Sequence, residues 1–280
     1  MLMENVKEYI EQFSIFGDPV EYKGFKIKPV LVKDYQKFLD ASEILKIEKN
    51  KVPDISIIQM SYLKFLIELM CIDNETKELF IDILTLCFGV TFDESKVVDN
   101  KEFDIGDLLL QTMPNGEQLF TINGWDVEMR IRGSVAKLVI QGQEMSSKDF
   151  DDIRLIILYQ NLYYFDEIEL NMSEDFKKVI TQYYTLKNKG ITPPSVEDKM
   201  MAIITNTSYT IDMIKEMPFR SFEKLFDYSV AKIDYMATKP LEAHLKKGHS
   251  IDHWVYRPER QKYSEIFKDA GKVAKEITSL

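Results

Sequence analysis

The chain has 280 residues, 45% of them hydrophobic, enough to bury a real core in one large domain or two modest ones, which excludes a disordered chain. Lys and Arg number 36 against 46 Asp and Glu, a net charge of −10, which argues against a protein built mainly to neutralise phosphates. The charge is uneven: 13 Lys, no Arg and 21 acids give −8 over residues 1–110, while 9 basic and 6 acidic residues give +3 over 239–280, so the latter segment suits an acidic partner or the protein's own acidic half.

In chain order, MLMENVKEYIEQF is acidic, with no basic run followed by an apolar one, and is not expected to be a signal peptide. VEYKGFKIKPV alternates Tyr22, Phe25 and Ile27 about a Lys-Gly turn and predicts a short hairpin. Three helices should follow: one capped by Asp34 with Tyr35, Phe38, Leu39 and Leu45; one started by Pro53-Asp54 with Ile58, Tyr62, Phe65, Leu66 and Leu69; and one from Asn74 with Leu79, Ile83, Leu86 and Cys87, stopped by a left-handed Gly89. The apolar stretch from Ile57 to Ile72 is broken by Gln59, Lys64 and Glu68, too polar and short to span a bilayer, so no membrane partner is expected. Cys71 and Cys87 lack paired spacing and are expected to be buried free thiols in a reducing cytoplasm.

Over 116–145 the period changes to two. LFTINGWDVEMRI alternates about Asn-Gly and AKLVIQG adds a third strand, predicting a small antiparallel β-meander around residues 118–141. Helices return from Ser146, whose spacing to Asp149 resembles a capping box, then near Ser173, and again at Ser195 with Asp198 after the rigid connector Thr192-Pro193-Pro194, the expected hinge. Thr210 caps a short helix closed by Met217-Pro218. Phe219 opens a long one with Phe222, Leu225, Phe226, Val230, Ile233 and Met236 on one stripe, ended by Pro240. The fold class is therefore mainly α (α+β): helical clusters with a small meander and an N-terminal hairpin. The organisation is read as 1–110 (hairpin and helices), 111–190 (meander plus helices), 191–246 (helical) and 247–280 (docking tail).

Candidate chemistry is sparse. His244, His249 and His253, with Asp252 beside them, could hold a metal through neutral imidazoles, but Gly248 interrupts a shared helix and neither a Cys nor an HExxH glutamate accompanies them; no metal or other cofactor is expected. Both cysteines sit among apolar residues, against a Cys-His nucleophile, and Gly133–Lys137 lacks phosphate-loop spacing. Asp151-Asp152 and Asp166-Glu167 are adjacent pairs, which a helix points apart, and are expected to be solvated acids. No catalytic residue is assigned, and no small-molecule ligand is expected.

The residues offered as partner contacts are His253, Trp254, Tyr256 and Arg257, because Trp, Tyr and Arg combine rigid contact area with a polar handle. Ile266 and Phe267 join them, on an amphipathic segment with Val273 and Ile277 able to lie in a groove. Two readings of Trp254 stay open: a plug on its own domain, or an anchor on another protein.

The run EYKGFKIKPVLVKDYQKFLDASEILKIEKNKVPDISIIQMSYLKFLIELM, the block PPSVEDKMMAIITNTSYTIDMIKEMPFRSFEKLFDYSVAKIDY and the IDHWVY stretch resemble, in segment order and texture, tail-assembly and baseplate-hub assembly chaperones of phages of low-GC Gram-positive bacteria. The resemblance implies a non-enzymatic protein of the host cytoplasm that binds baseplate-hub, baseplate or tape-measure proteins during tail construction, or is itself retained in the virion. It carries no catalytic residues. The rival readings are a nucleic-acid-binding regulator using 219–236 and the basic tail, weakened because Glu223, Asp227 and Asp234 spoil a phosphate-facing stripe, and a metal-dependent enzyme using the histidines.

Overall fold

The computed structural model describes residues 4–49, 54–98, 104–163, 165–166, 170, 172–187, 192–244, 251 and 253–255. The chain forms two compact units, the first comprising residues 1–170 and 212–222, the second 171–211 and 223–280. The expected segments 1–110 and 111–190 thus share a unit as far as Leu170, because one core runs from Ile10 to Leu158.

In the first unit, helix α1 (Glu4–Phe16) precedes the hairpin β1 (Val20–Tyr22) and β2 (Phe25–Ile27). Lys23 and Gly24 both have positive φ, the backbone a two-residue hairpin turn needs. Helix α2 (Tyr35–Ser42) follows a 3-10 turn over Val32–Asp34, and Asp34 makes no side-chain cap bond, contrary to expectation. The single helix expected after Pro53-Asp54 is two: α3 (Ile55–Gln59), capped by Asp54, and α4 (Tyr62–Met70). Met60 and Ser61 are extended between them, and the Ser61 hydroxyl accepts from the Lys64 N–H, so a serine that looked like a helix-interior residue restarts the helix. Helix α5 (Asn74–Ile83) is capped by Asp73 and runs through a π-type turn over Leu84–Phe88 to Gly89 at φ +70°, the left-handed stop expected there.

The meander has five strands, with the order β3-β4-β5-β6-β7: β3 (Leu108–Thr112), β4 (Gln118–Ile122), β5 (Val127–Arg132), β6 (Val135–Ile140) and β7 (Gln143–Ser146). It extends beyond 118–141 on both sides. Asn123-Gly124 sits in a four-residue connection whose Asn123 side chain is buried, accepting from the Val98 N–H at 2.7 Å and donating to the Asp104 carbonyl at 3.0 Å. The Gln141-Gly142 pair, read as strand, is the next turn, both residues having positive φ.

Register sets one row, Leu110, Phe120, Met129, Leu138 and Met145, across the whole sheet on its core face. Helices α4 and α6 (Ser147–Asn161) pack against β6, and α6 also meets α1 and α4. Helix α6 buries Phe150, Ile153, Leu155, Ile156, Ile157 and Leu158, too wide a band for a surface helix, which makes it the centre of the unit. Its start is the capping box Ser146/Asp149 foreseen in the sequence. At its other end buried polar groups hold the hairpin: Gln160 donates to the Ile27 carbonyl at 3.0 Å and Asn161 accepts from the Val30 N–H at 2.6 Å.

In the second unit, α7 (Glu174–Lys187), α8 (Val196–Asn206) and most of α10 (Phe219–Thr238) are helical; α9 (Ile211–Lys215) bridges the chain between them, and a 3-10 stretch covers Lys239–His244. The Ser195/Asp198 capping box is present. Pro193-Pro194 lies within this unit, so the expected hinge does not fall at a unit boundary; the last boundary, between Phe222 and Glu223, falls inside continuous helix α10. Among the described residues, Ile203 and Ala231 are the buried apolar side chains of this unit.

Candidate protein-docking surface

Helix α10 carries the site. At 100° per residue, Phe226, Val230, Ile233 and Met236 fall on one side of it, and Tyr228 and Tyr235 on another. The tyrosine side is met by His253 and Trp254 of the same unit. The Trp254 ring meets Tyr228 edge-on at 6.0 Å, the His253 ring lies 5.0 Å from Tyr235, and His253 and Trp254 are 5.6 Å apart. Half-buried Trp254 is thus folded back as a plug, the first of the two arrangements considered for it, and its aromatic pairing is worth roughly 1 kcal/mol beyond area burial.

A polar clamp holds that segment. Glu242 accepts from the Ile251 N–H at 3.0 Å and pairs with Lys239 at 2.5 Å, and Lys239 donates to the Ile251 carbonyl at 3.4 Å. The Lys239 ammonium first, then the Ile251 N–H, holds the Glu242 carboxyl below its ordinary range. A group depressed in this way contributes its stabilisation above the ordinary glutamate value and loses it as pH falls through the lowered one. In a Trp125→Phe background, Trp254 emission should therefore shift to the red on acidification below the ordinary carboxylate range, and Glu242→Gln should show the shifted emission at neutral pH. Emission that ignores both pH and the substitution would remove the clamp.

The other side of α10 is open. Val230, Ile233 and Met236 are 38%, 44% and 64% exposed, and Leu241 beyond them is 57% exposed. Three apolar side chains on successive turns of one helix face are a contiguous patch, unlike singly scattered surface residues. Of the stripe, only its first member, Phe222, is fully buried, and that residue belongs to the first unit; Phe226, expected with it in the core, is half-buried. Apolar periodicity reports that a face can be covered and not what covers it.

Of the other expected contacts, His253 is exposed, whereas Tyr256, Arg257, Ile266 and Phe267 lie outside the described residues. His249 and Asp252 do as well, and no group of three or more His, Cys, Asp or Glu placed to hold a metal occurs among the described residues. Cys87 is buried, and burial pushes its thiol up, as expected of an inert core cysteine; Cys71 is exposed, which corrects the expectation of burial, because it sits where α4 ends. No described helix is long and apolar enough to cross a membrane.

The acid pair Asp151-Asp152 is not simply solvated, which corrects the sequence expectation. Asp152 accepts from the Tyr22 hydroxyl at 2.5 Å. Asp151 is half-buried with its Oδ1 lacking a hydrogen-bond partner, and burial raises its carboxyl above the ordinary range despite the opposing charges of Arg154 and Lys49. Those cations are engaged elsewhere: Arg154 stacks 3.8 Å above the Tyr62 ring and donates to the Leu45 carbonyl at 3.2 Å, while Lys49 donates to the Met60 carbonyl. With the Tyr62 hydroxyl donating to the Ile44 carbonyl at 2.6 Å, the cluster ties the 43–49 turn to α4 and α6 and is scaffolding rather than chemistry.

Because an acid raised in the fold disfavours the folded state once ionised, its penalty is absent below the ordinary aspartate value and grows as pH rises through the raised one. Asp151→Asn should therefore match the wild type in urea at acid pH and exceed its midpoint at neutral pH. A midpoint difference constant across pH would contradict this assignment.

The chain matches no family model, no curated protein and no solved structure.

Proposed function

We propose that this chain is a non-enzymatic protein-binding factor of phage tail or baseplate assembly, acting in the host cytoplasm and either displaced as the tail is completed or retained in the virion. The likeness of two long segments and the short IDHWVY stretch to tail-assembly chaperones supports the assembly role. The observation that carries protein binding is the exposed stripe Val230, Ile233 and Met236 on α10, in a unit whose described residues include few buried apolar side chains. Such a face lowers its free energy when another apolar surface covers it, by about 25 cal/mol for each Å² removed from water. A chaperone needs this: a surface left open until the client arrives and released when the client finds its place in the tail.

Co-purification with phage tail, baseplate-hub and tape-measure proteins tests the reading. Wild type should recover at least one of them, and Ile233→Asp with Met236→Asp, at unchanged helical circular dichroism, should lose it. Equal recovery by both chains would remove the α10 stripe from the mechanism, and no recovery by either would remove the assembly role.

A further inference from the structure

The first unit carries a second surface, independent of α10, at the outer edge of β3. The Asn123 N–H donates to the Asp107 carbonyl at 2.9 Å and the Met113 N–H to the Glu117 carbonyl at 2.8 Å. Antiparallel pairing alternates, so Leu109 and Gln111 also bond toward β4, and the backbone groups of Leu108, Leu110 and Thr112 point outward. No described residue pairs with them.

The side chains make the edge more than a bare ladder. Leu110 heads the core-face row whose other members, Phe120, Met129, Leu138 and Met145, are at most 5% exposed, yet it is itself 56% exposed. The apolar face therefore runs one strand further than its cover. Within Leu108–Thr112 no lysine, proline or other charged residue blunts pairing, the devices by which natural sheets protect an edge. The opposite edge is treated differently: β7 packs against α6, and its Gln143 donates to the Lys23 carbonyl at 3.2 Å.

We propose that the outer edge of β3 accepts an extended strand from a partner protein, apolar at alternate positions and basic at its C-terminal end. The apolar positions would continue the row beyond Leu110. An antiparallel guest ends beside Asp104 and Asp107, which precede the strand, and Lys77, 3.2 Å from Asp107, answers only one of those charges. A second copy of the chain fits less well. Five residues give an edge only about 17 Å long, too short a line of contact to bury by itself the roughly 1,200 Å² of a stable interface, whereas strand addition by a peptide needs only the edge and its side-chain niches.

The probe is the peptide acetyl-Thr-Val-Thr-Ile-Thr-Val-Lys-Lys-amide, added to the full chain and read by amide hydrogen exchange. Exchange at Leu108, Leu110 and Thr112 should slow by about tenfold or more at saturation. The protection should vanish when the peptide amides facing the strand are N-methylated, and should weaken when its lysines are replaced by glutamates. Leu110→Pro removes one outward donor and no bond to β4, so it should abolish peptide protection while the Leu109 and Gln111 amides stay slow. Peptide that protects no β3 amide, or that binds Leu110→Pro equally, overturns the proposal. Protection that rises with protein concentration in the absence of peptide overturns it in favour of self-pairing.

Discussion

Replacing Phe80 by alanine is expected to destabilise the first unit by about 3–5 kcal/mol, the range for truncating a fully buried phenylalanine. Phe80 is wholly buried on α5, a helix that packs against both α2 and α4, so the cavity opens where three helices meet and none can close it without leaving the others. The lost transfer energy and the unfilled cavity add. For a unit of this size the thermal midpoint should fall by roughly 10 °C. Trp125, packed on the same core, reports the transition by fluorescence in a Trp254→Phe background. Ile72→Ala is the comparison: an isoleucine 83% exposed should cost less than about 0.5 kcal/mol. If the two substitutions cost alike, the core is not where the fold places it.

What could be read from the sequence was local chemistry. The Ser146/Asp149 and Ser195/Asp198 boxes, the left-handed Gly89 and the Lys23-Gly24 turn depend on residues within a few positions of each other, and each is present. Missed features depend on distant partners. Strand β3 reads LLLQT, an apolar run without alternation, and becomes a strand only through its register with Gln118–Ile122. Ser61 looked like one more helical residue until extended backbone at Met60 made it a cap. Asp151 looked solvated because burial by Tyr62, Arg154 and the 43–49 turn is tertiary information. The α10 stripe was legible as a stripe, but its openness was not: the same period suits a buried face and one that waits for a partner. Trp254 was the reverse case: the sequence left open whether it packs on its own chain or on another protein, and only the fold shows its ring against Tyr228.

Among the described residues of the second unit the buried apolar side chains are few, and the Lys199–Glu223 pair is the contact whose loss should be felt most. Glu223 on α10 is 4% exposed, and both its carboxylate oxygens accept from the Lys199 ammonium of α8 at 2.8 Å, with the ammonium also 5.5 Å from the Phe226 ring. Lys199→Met keeps the aliphatic stem but strands a buried carboxylate, which costs about 3 kcal/mol or more when one partner of a buried pair is removed. Adding Glu223→Leu removes the stranded charge and should recover most of the loss, since a buried pair is worth little against apolar side chains of similar volume. Trp254 emission in a Trp125→Phe background follows both variants through urea unfolding. A double variant as unstable as Lys199→Met would mean that the pair itself, rather than relief of the buried charge, holds α8 to α10. A Lys199→Met chain as stable as wild type would mean that water reaches Glu223. Because the stripe on α10 exists only while α10 is held, the single variant should also lose client recovery, and the double variant should regain it, which separates loss of the docking face from loss of the fold that presents it.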